Sequence, residues 1–248
     1  MKIFVSDRLQ EQFPEVWAAL PWIEAIVSEN IWVRDFMPIQ VGDHYVKFGY
    51  DAAGEGAPPN ELFYHDLGRL ELNDILLDGG NIQMIGGKAF VTDIVFEKND
   101  GPFTRKGLHH HLEAALECEV VVIPNDDDDF YGHADGILAA GPGNTVFINS
   151  KATHKKAITK KLNKMGHEVV ALPCPREKMP YYDSLSAFGY YINLLVVDDT
   201  IYFPTFDVKE DDEVESILSA VAMKVRPVPC RKLSMRGGCV HCVTREYR

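Results

Sequence analysis

This chain has no surplus of positive charge, no long apolar run and no paired-cysteine framework, and each lack removes a class of function. Thirty-seven acidic residues stand against 25 basic ones, a net charge of −12. The basic stripe that phosphate backbones require is therefore missing, and nucleic acid is not an expected partner. No apolar segment approaches the length of a bilayer span, so no membrane partner is expected. The apolar start Met1–Val5 runs straight into Asp7 and Arg8, too short a stretch for a signal peptide. Five cysteines, an odd number scattered along the chain, argue against a disulfide scaffold and for a reducing compartment, so a cytoplasmic protein is expected.

What is present is ordinary for a globular protein: 248 residues, 46% hydrophobic and 25% charged. No linker or shift in composition divides them, and one domain over residues 1–248 is expected. Much of the acidic excess is solvated surface. Such a protein can still draw in a cation if some carboxylates line its site.

The spaced apolar residues of Leu9–Leu20 predict a helix. Trp32–Pro38 resists that reading, because Pro38 biases its predecessor toward extended backbone. Ile39–Tyr50 predicts a hairpin turning at Gly42-Asp43, and the Gly- and Pro-rich Asp51–Asn60 a loop. Leu76–Asn81 leads into a second hairpin turning at Gly86-Gly87, followed by a helix (Thr104–Leu116) and a strand (Val120–Ile123). After the acidic run Asp126–Asp129 the scheme restarts. Gly132–Gly136 opens a hairpin turning at Pro142–Asn144, followed by a helix near His154–Met165 and a strand at Val169–Leu172. Tyr191–Asn193 heads another unit, with a turn near Asp198-Asp199, a helix at Asp211–Val221 and a strand at Val225–Val228. Hairpin, helix and strand recurring at this spacing form an internal repeat, clear in three copies and weaker in two near the N-terminus. The segment Cys239–Thr244 predicts a closing strand.

The two thiols of that last segment, Cys239 and Cys242, follow Gly237-Gly238. They could be a nucleophile, a redox dithiol, half of a metal site or ordinary core cysteines. A thioredoxin-like motif would open a helix, and zinc would need a second ligand pair at similar spacing; neither is visible. His109-His110-His111 reads as a solvated patch, since adjacent residues point in different directions, and no metal is expected. The acidic run lacks the alternating ligands of a calcium loop and reads as solvated loop near a pocket mouth.

Each hairpin is entered through polar residues: Asp35, Asp78, His133 with Asp135, Asn193 and Cys242. If the repeats are related by a pseudo-rotation, these positions converge near the axis. His133 and Asp135, two apart in extended backbone, would then share a side. Burying such groups unpaired is costly, so they need one another or a polar ligand. A flat guanidinium matches aspartates in bidentate fashion. Held there, it would favour the Cys242 thiolate and offer its central carbon for attack. His133 could protonate the departing ammonia and then deprotonate water. Taken singly, each of these residues has an ordinary use: turns or caps for the aspartates and Asn193, packing for Trp32, core for the thiols.

Together, Trp32-x-Arg34-Asp35-x-x-Pro38, Asp78-Gly79-Gly80-Asn81, Gly132-His133-x-Asp135, Tyr191-x-Asn193 and Gly237-Gly238-x-x-His241-Cys242 resemble the agmatine deiminase and bacterial peptidylarginine deiminase family. The resemblance runs in order from Trp32 to Cys242. It implies an α/β fold, the five-bladed αβ-propeller (pentein) of guanidino-modifying enzymes, built from pseudo-symmetric hairpin–helix–strand repeats. It further implies Cys242 as nucleophile and His133 as acid and base, with Asp35 and Asp135 holding the guanidinium. Asp78, where many relatives have Glu, would orient substrate or water; Trp32 and Asn193 would line the pocket. No cofactor is implied. A small cationic guanidino compound is the expected substrate, agmatine or a similar arginine derivative, by way of a covalent thiouronium. The chain looks shorter than typical members and has Cys239 where asparagine is frequent; a Cys239–Cys242 disulfide that switches the enzyme off is one reading of that spacing. Arginine in peptides is the alternative substrate, amidino transfer the alternative reaction, and a non-catalytic binding protein on the same propeller the alternative class. Oligomeric state, including a homo-oligomer, is left open.

Overall fold

The computed structural model describes residues 1–50, 56, 58, 64, 67–126, 131–175, 186–222 and 224–247. Fifteen strands form five sheets of three strands each. Four share one plan: an antiparallel hairpin, then a crossover to a third strand that pairs in parallel with the hairpin's second. These are β3 (Ile39–Val41), β4 (His44–Gly49) and β5 (Leu70–Leu76); β6 (Gln83–Ile85), β7 (Lys88–Thr92) and β8 (Val120–Ile123); β9 (Leu138–Ala140), β10 (Thr145–Asn149) and β11 (Glu168–Leu172); β12 (Leu195–Val197), β13 (Thr200–Thr205) and β14 (Lys224–Pro229). The hairpin turns fall where the sequence places them. At β6–β7 both turn residues, Gly86 and Gly87, have positive φ (57° and 75°), the tight two-residue turn that side chains resist.

The fifth sheet joins the two ends of the chain. β1 (Lys2–Ser6) runs parallel to β2 (Ile23–Ile26) and antiparallel to β15 (Arg245–Tyr247), with Lys2 opposite Tyr247 and Phe4 opposite Arg245. The last strand supplies what the first unit lacks, and a five-bladed αβ-propeller results. Crossover helices Arg105–Leu116, Lys155–Lys164 and Glu210–Ser219 cover the sheets. The first buries Leu108, Leu112, Ala115 and Leu116, an i, i+4, i+7, i+8 stripe, and Thr104 caps it by accepting from the Gly107 amide at 3.0 Å. Its stripe packs with β4 and β7 through Val46, Ala89 and Val91, so apolar surface is shared between neighbouring blades.

Five expectations need correction. Leu9–Leu20 is two helices, Arg8–Gln12 and Pro14–Ala19, because Pro14 cannot continue a helix but starts one well. Trp32–Pro38 contains a helical turn, Val33–Phe36; Pro38 forces only Met37 into extended backbone (ψ 145°). His133–Gly136 is not extended: His133 precedes a 3-10 turn, Ala134–Gly136. Cys239–Thr244 is a run of turns and not a strand, and the strand begins at Arg245. Asp126 is buried and accepts from the Thr153 hydroxyl at 2.6 Å, so it ties two segments together and does not face solvent. Asp127–Asp129 and most of Asp51–Asn60 lie outside the described residues.

Candidate active site

The strands that begin four of the units, β3, β6, β9 and β12, together with β15, are each entered through one of the polar positions. Asp35 lies in the turn before β3, Asp78 and the 3-10 turn Gly79–Asn81 before β6, and His133 and Asp135 before β9. Asn193 precedes β12 and Cys242 precedes β15. Repetition of the fold thus brings residues far apart in sequence to one place, and all but the carboxyl group of Asp35 belong to residues that are at least nine-tenths buried.

Glycines make the convergence feasible. A Cβ at Gly80 would lie 2.7 Å from Asp35 Oδ1, 2.7 Å from His133 Nδ1 and 3.3 Å from Asp135 Oδ2. A Cβ at Gly238 would collide with the Trp32 ring and stand 3.1 Å from Cys242 Sγ. Only hydrogen at these two positions leaves room for the surrounding side chains. Trp32 is therefore in place as a wall beside the thiol.

Cys242 sits on a loop wound around one side chain. Asn193 Oδ1 accepts from the backbone amides of Cys239 (3.2 Å), His241 (3.1 Å) and Cys242 (3.3 Å). Its Nδ2 donates to Cys242 Sγ at 3.1 Å. This is why a β-branched segment fails to form a strand: its amides answer to a buried amide oxygen in place of a neighbouring ladder. Arg34 braces the loop from the other side. Its backbone amide donates to the Cys242 carbonyl (3.0 Å), its Nε to the His241 carbonyl (3.2 Å), and its guanidinium makes a fork-like pair with Glu246.

Two histidines organise the carboxylates. His133 Nε2 donates to Asp78 Oδ2 at 3.1 Å, and its Nδ1 faces Asp35 Oδ1 at 3.7 Å. Asp35 Oδ1 accepts from the Gly80 amide (2.9 Å), and Asp78 Oδ2 also accepts from Lys98 Nζ (2.6 Å). His241 Nδ1 lies 2.7 Å from Asp135 Oδ2, and its Nε2 lies 3.3 Å from Gln83 Nε2. An amide nitrogen can only donate, so His241 accepts at Nε2 and donates from Nδ1 to Asp135. Asp135 Oδ2 is also 3.7 Å from Cys242 Sγ.

Charge follows from these contacts. Burial opposes a charge on His133, but Asp35, Asp78 and Asp135 outweigh it and push His133 up to about 10. Burial raises Asp35 to about 7 against the pull of His133. Burial also works against Asp78 and Asp135, yet both end below the ordinary carboxylate range. His133 and Lys98 hold Asp78 down; the hydrogen bond from His241, then His133 and Arg34, hold Asp135 down. Burial, Asp135 and Asp35 push the Cys242 thiol well up. Burial, then the neighbouring Cys230, with Cys242 and Asp135 behind it, raises Cys239. Both are free thiols, and Cys239 Sγ faces the Ala187 carbonyl at 3.6 Å.

The structure thus gathers Asp35, Asp78, His133, Asp135, Asn193, Trp32 and Cys242. It adds residues to which the sequence reading gives no role: His241, Gln83, Lys98 and the Arg34–Glu246 pair. His241 and Arg34 stand inside the quoted motifs next to Cys242 and Asp35, which is the one available signal. Gln83, Lys98 and Glu246 carry none.

The geometry agrees with what the chain is similar to. The family model for Porphyromonas-type peptidyl-arginine deiminase matches residues 2–247. An agmatine deiminase of Pseudomonas aeruginosa is 25% identical over 276 residues, covering 89% of this chain and 75% of that protein. One of Pseudomonas fluorescens is 30% identical, covering 88% and 74%. Among solved structures, a C. jejuni agmatine deiminase with substrate bound superposes with a TM-score of 0.77 at 16% identity, over 98% of this chain and 92% of that one, a likeness of fold. With nearly its whole length matched, this chain belongs to the Porphyromonas-type peptidyl-arginine deiminase family.

Proposed function

We propose that the chain, acting as a single domain over residues 1–248, hydrolyses the guanidinium of agmatine or a similar small arginine derivative, giving a ureido product and ammonia. The observation that carries this reading is the meeting of one thiol, one charged imidazole and three carboxylates at one place, packed around Gly80 and Gly238. Asp35 and Asp135 accept from the guanidinium nitrogens, as the acidic character of the site suits a flat cation. Curated relatives named agmatine deiminase support the substrate class.

In the free protein, burial and the neighbouring carboxylates keep Cys242 as a thiol. A bound cation reverses that balance, so Cys242 gives its proton to solvent and the thiolate forms with the substrate in place. Sγ attacks the central carbon, and Asn193 Nδ2 steadies the sulfur. His133, already protonated, gives its proton to the amino group that leaves as ammonia, and a thiouronium remains on Cys242. Neutral His133 then takes a proton from water, whose oxygen adds to the same carbon. The C–S bond breaks, the proton of the added hydroxyl passes to the departing sulfur to restore the Cys242 thiol, and the ureido product departs. Asp78, shared by His133 and Lys98, fixes the imidazole during both transfers.

A cytoplasmic setting belongs to the same proposal, supported by five free thiols. Among the described residues no helix is long and apolar enough to cross a membrane. Arginine within peptides is the second reading, favoured by the matching family model. Ammonia and ureido product are to be assayed with agmatine, free arginine and arginyl peptides, beside Cys242→Ala. Turnover of agmatine that vanishes in the variant is expected. Turnover of peptides alone selects the second reading, and amidine transferred to an amine would select a transferase. No ammonia from any guanidine, or ammonia that survives Cys242→Ala, overturns the proposal.

A further inference from the structure

The outer layer of the molecule holds a second constellation that the reaction does not use. On helix Arg105–Leu116, His109, His110 and Glu113 each present a ligand-type atom, and the three lie within 4.8 Å of one another. Neighbouring histidines are expected to diverge, and His111 does: its ring packs edge-on against Phe103 at 5.1 Å. His109 and His110 do not. Glu113, one turn on, stands between them, with Oε2 at 3.6 Å from His109 Nδ1 and 3.5 Å from His110 Nδ1.

Two of the three are held from behind by a single residue of β8. His109 Nε2 lies 2.9 Å from the Val120 carbonyl, so Nε2 carries the proton and the Nδ1 lone pair is left facing Glu113. The Val120 amide donates to Glu113 Oε1 at 3.4 Å, which turns Oε2 toward the histidines. A backbone carbonyl behind the distal imidazole nitrogen is the usual way a metal-binding histidine is oriented. A cation about 2.0–2.1 Å from a nitrogen and an oxygen in tetrahedral geometry places those two atoms about 3.4 Å apart. The observed separations are close to that, and His110, 63% exposed, is free to swing the remainder.

We propose that His109 Nδ1, His110 Nδ1 and Glu113 Oε2 bind one divalent cation of zinc's type, with water completing the coordination. Two imidazoles and one carboxylate suit a borderline first-row ion better than magnesium or calcium, which prefer oxygen alone. The bound ion clamps the helix to β8 through Val120 and raises stability by mass action, apart from any effect on turnover.

Zinc titration of the intact chain by calorimetry tests this, with cobalt(II) absorbance as a second readout. One equivalent of metal is expected to bind with d–d bands and no thiolate-to-cobalt charge transfer, and zinc should raise the melting temperature. His110→Asn and Glu113→Gln, both outside the core, should each weaken that equivalent by more than about tenfold. Unchanged stoichiometry and affinity in both variants would overturn the site, as would a thiolate band in the single-equivalent complex, or no heat and no spectral change with either metal in excess.

Discussion

His133 and His241 are equally buried, each 8% exposed, and each touches a carboxylate, yet only one of them is charged. His133 faces Asp35 and Asp78 with Asp135 nearby, and is pushed up to about 10. His241 meets Asp135 alone, while burial and the Arg34 guanidinium hold it below its ordinary value. One is an imidazolium with a proton to give; the other is a neutral ring that donates to Asp135 and accepts from Gln83. Burial does not decide the role of a histidine here. The count of neighbouring charges does.

The comparison breaks most sharply at His133. Removing the proton donor by His133→Asn should lower kcat by about 10²–10⁴, the usual worth of general acid–base catalysis, in steady-state ammonia release. His241→Asn deletes one hydrogen bond to a charged group and should cost about tenfold to a hundredfold, read in kcat/KM, with His241→Gln recovering part of it. Equal losses from the two variants would end the distinction between acid and anchor.

A pH profile sharpens the same contrast. Below about 7 Asp35 takes up a proton and the pocket loses a charge that the cation needs. The value of kcat/KM should therefore fall about tenfold per unit on the acid side. On the alkaline side it should fall again as His133 loses its proton near 10. No separate break is expected from His241, which burial and Arg34 hold below its ordinary value. A further inflection in wild type that disappears in His241→Gln would contradict this.

The least effect is expected at Cys239. Its sulfur is wholly buried, facing the Ala187 carbonyl with Cys230 beside it. Cys239→Ser should leave kcat within about twofold and reduce stability by about 1–3 kcal/mol in a denaturant titration. A loss as complete as that of Cys242→Ser would indicate a redox dithiol.

The hairpins were legible because turn glycines and alternating strands are local signals, and they carried the repeat with them. Convergence of Asp35, His133, Asp135 and Cys242 followed from the repeat. What stayed hidden depends on contacts across the chain. Val240, Val243 and Thr244 have the composition of a strand, and only Asn193, far upstream, bends them into a loop. His241 lies beside the proposed nucleophile, but its pairing with Asp135 and Gln83 exists only after blades from different parts of the chain have met. The Arg34–Glu246 pair joins the two ends of the sequence and has no pattern to announce it. Pro14 is a local signal masked by a strong apolar periodicity.

The central claim is a covalent bond to one sulfur. Acid quench of the protein turning over agmatine, followed by peptide mass spectrometry, reports it directly. The account predicts the mass of substrate less ammonia on the peptide at Cys242 in wild type, and slower formation of it in His133→Asn, which lacks the proton donor for ammonia release. An adduct confined to Cys239, or turnover without any adduct on either enzyme form, would contradict it.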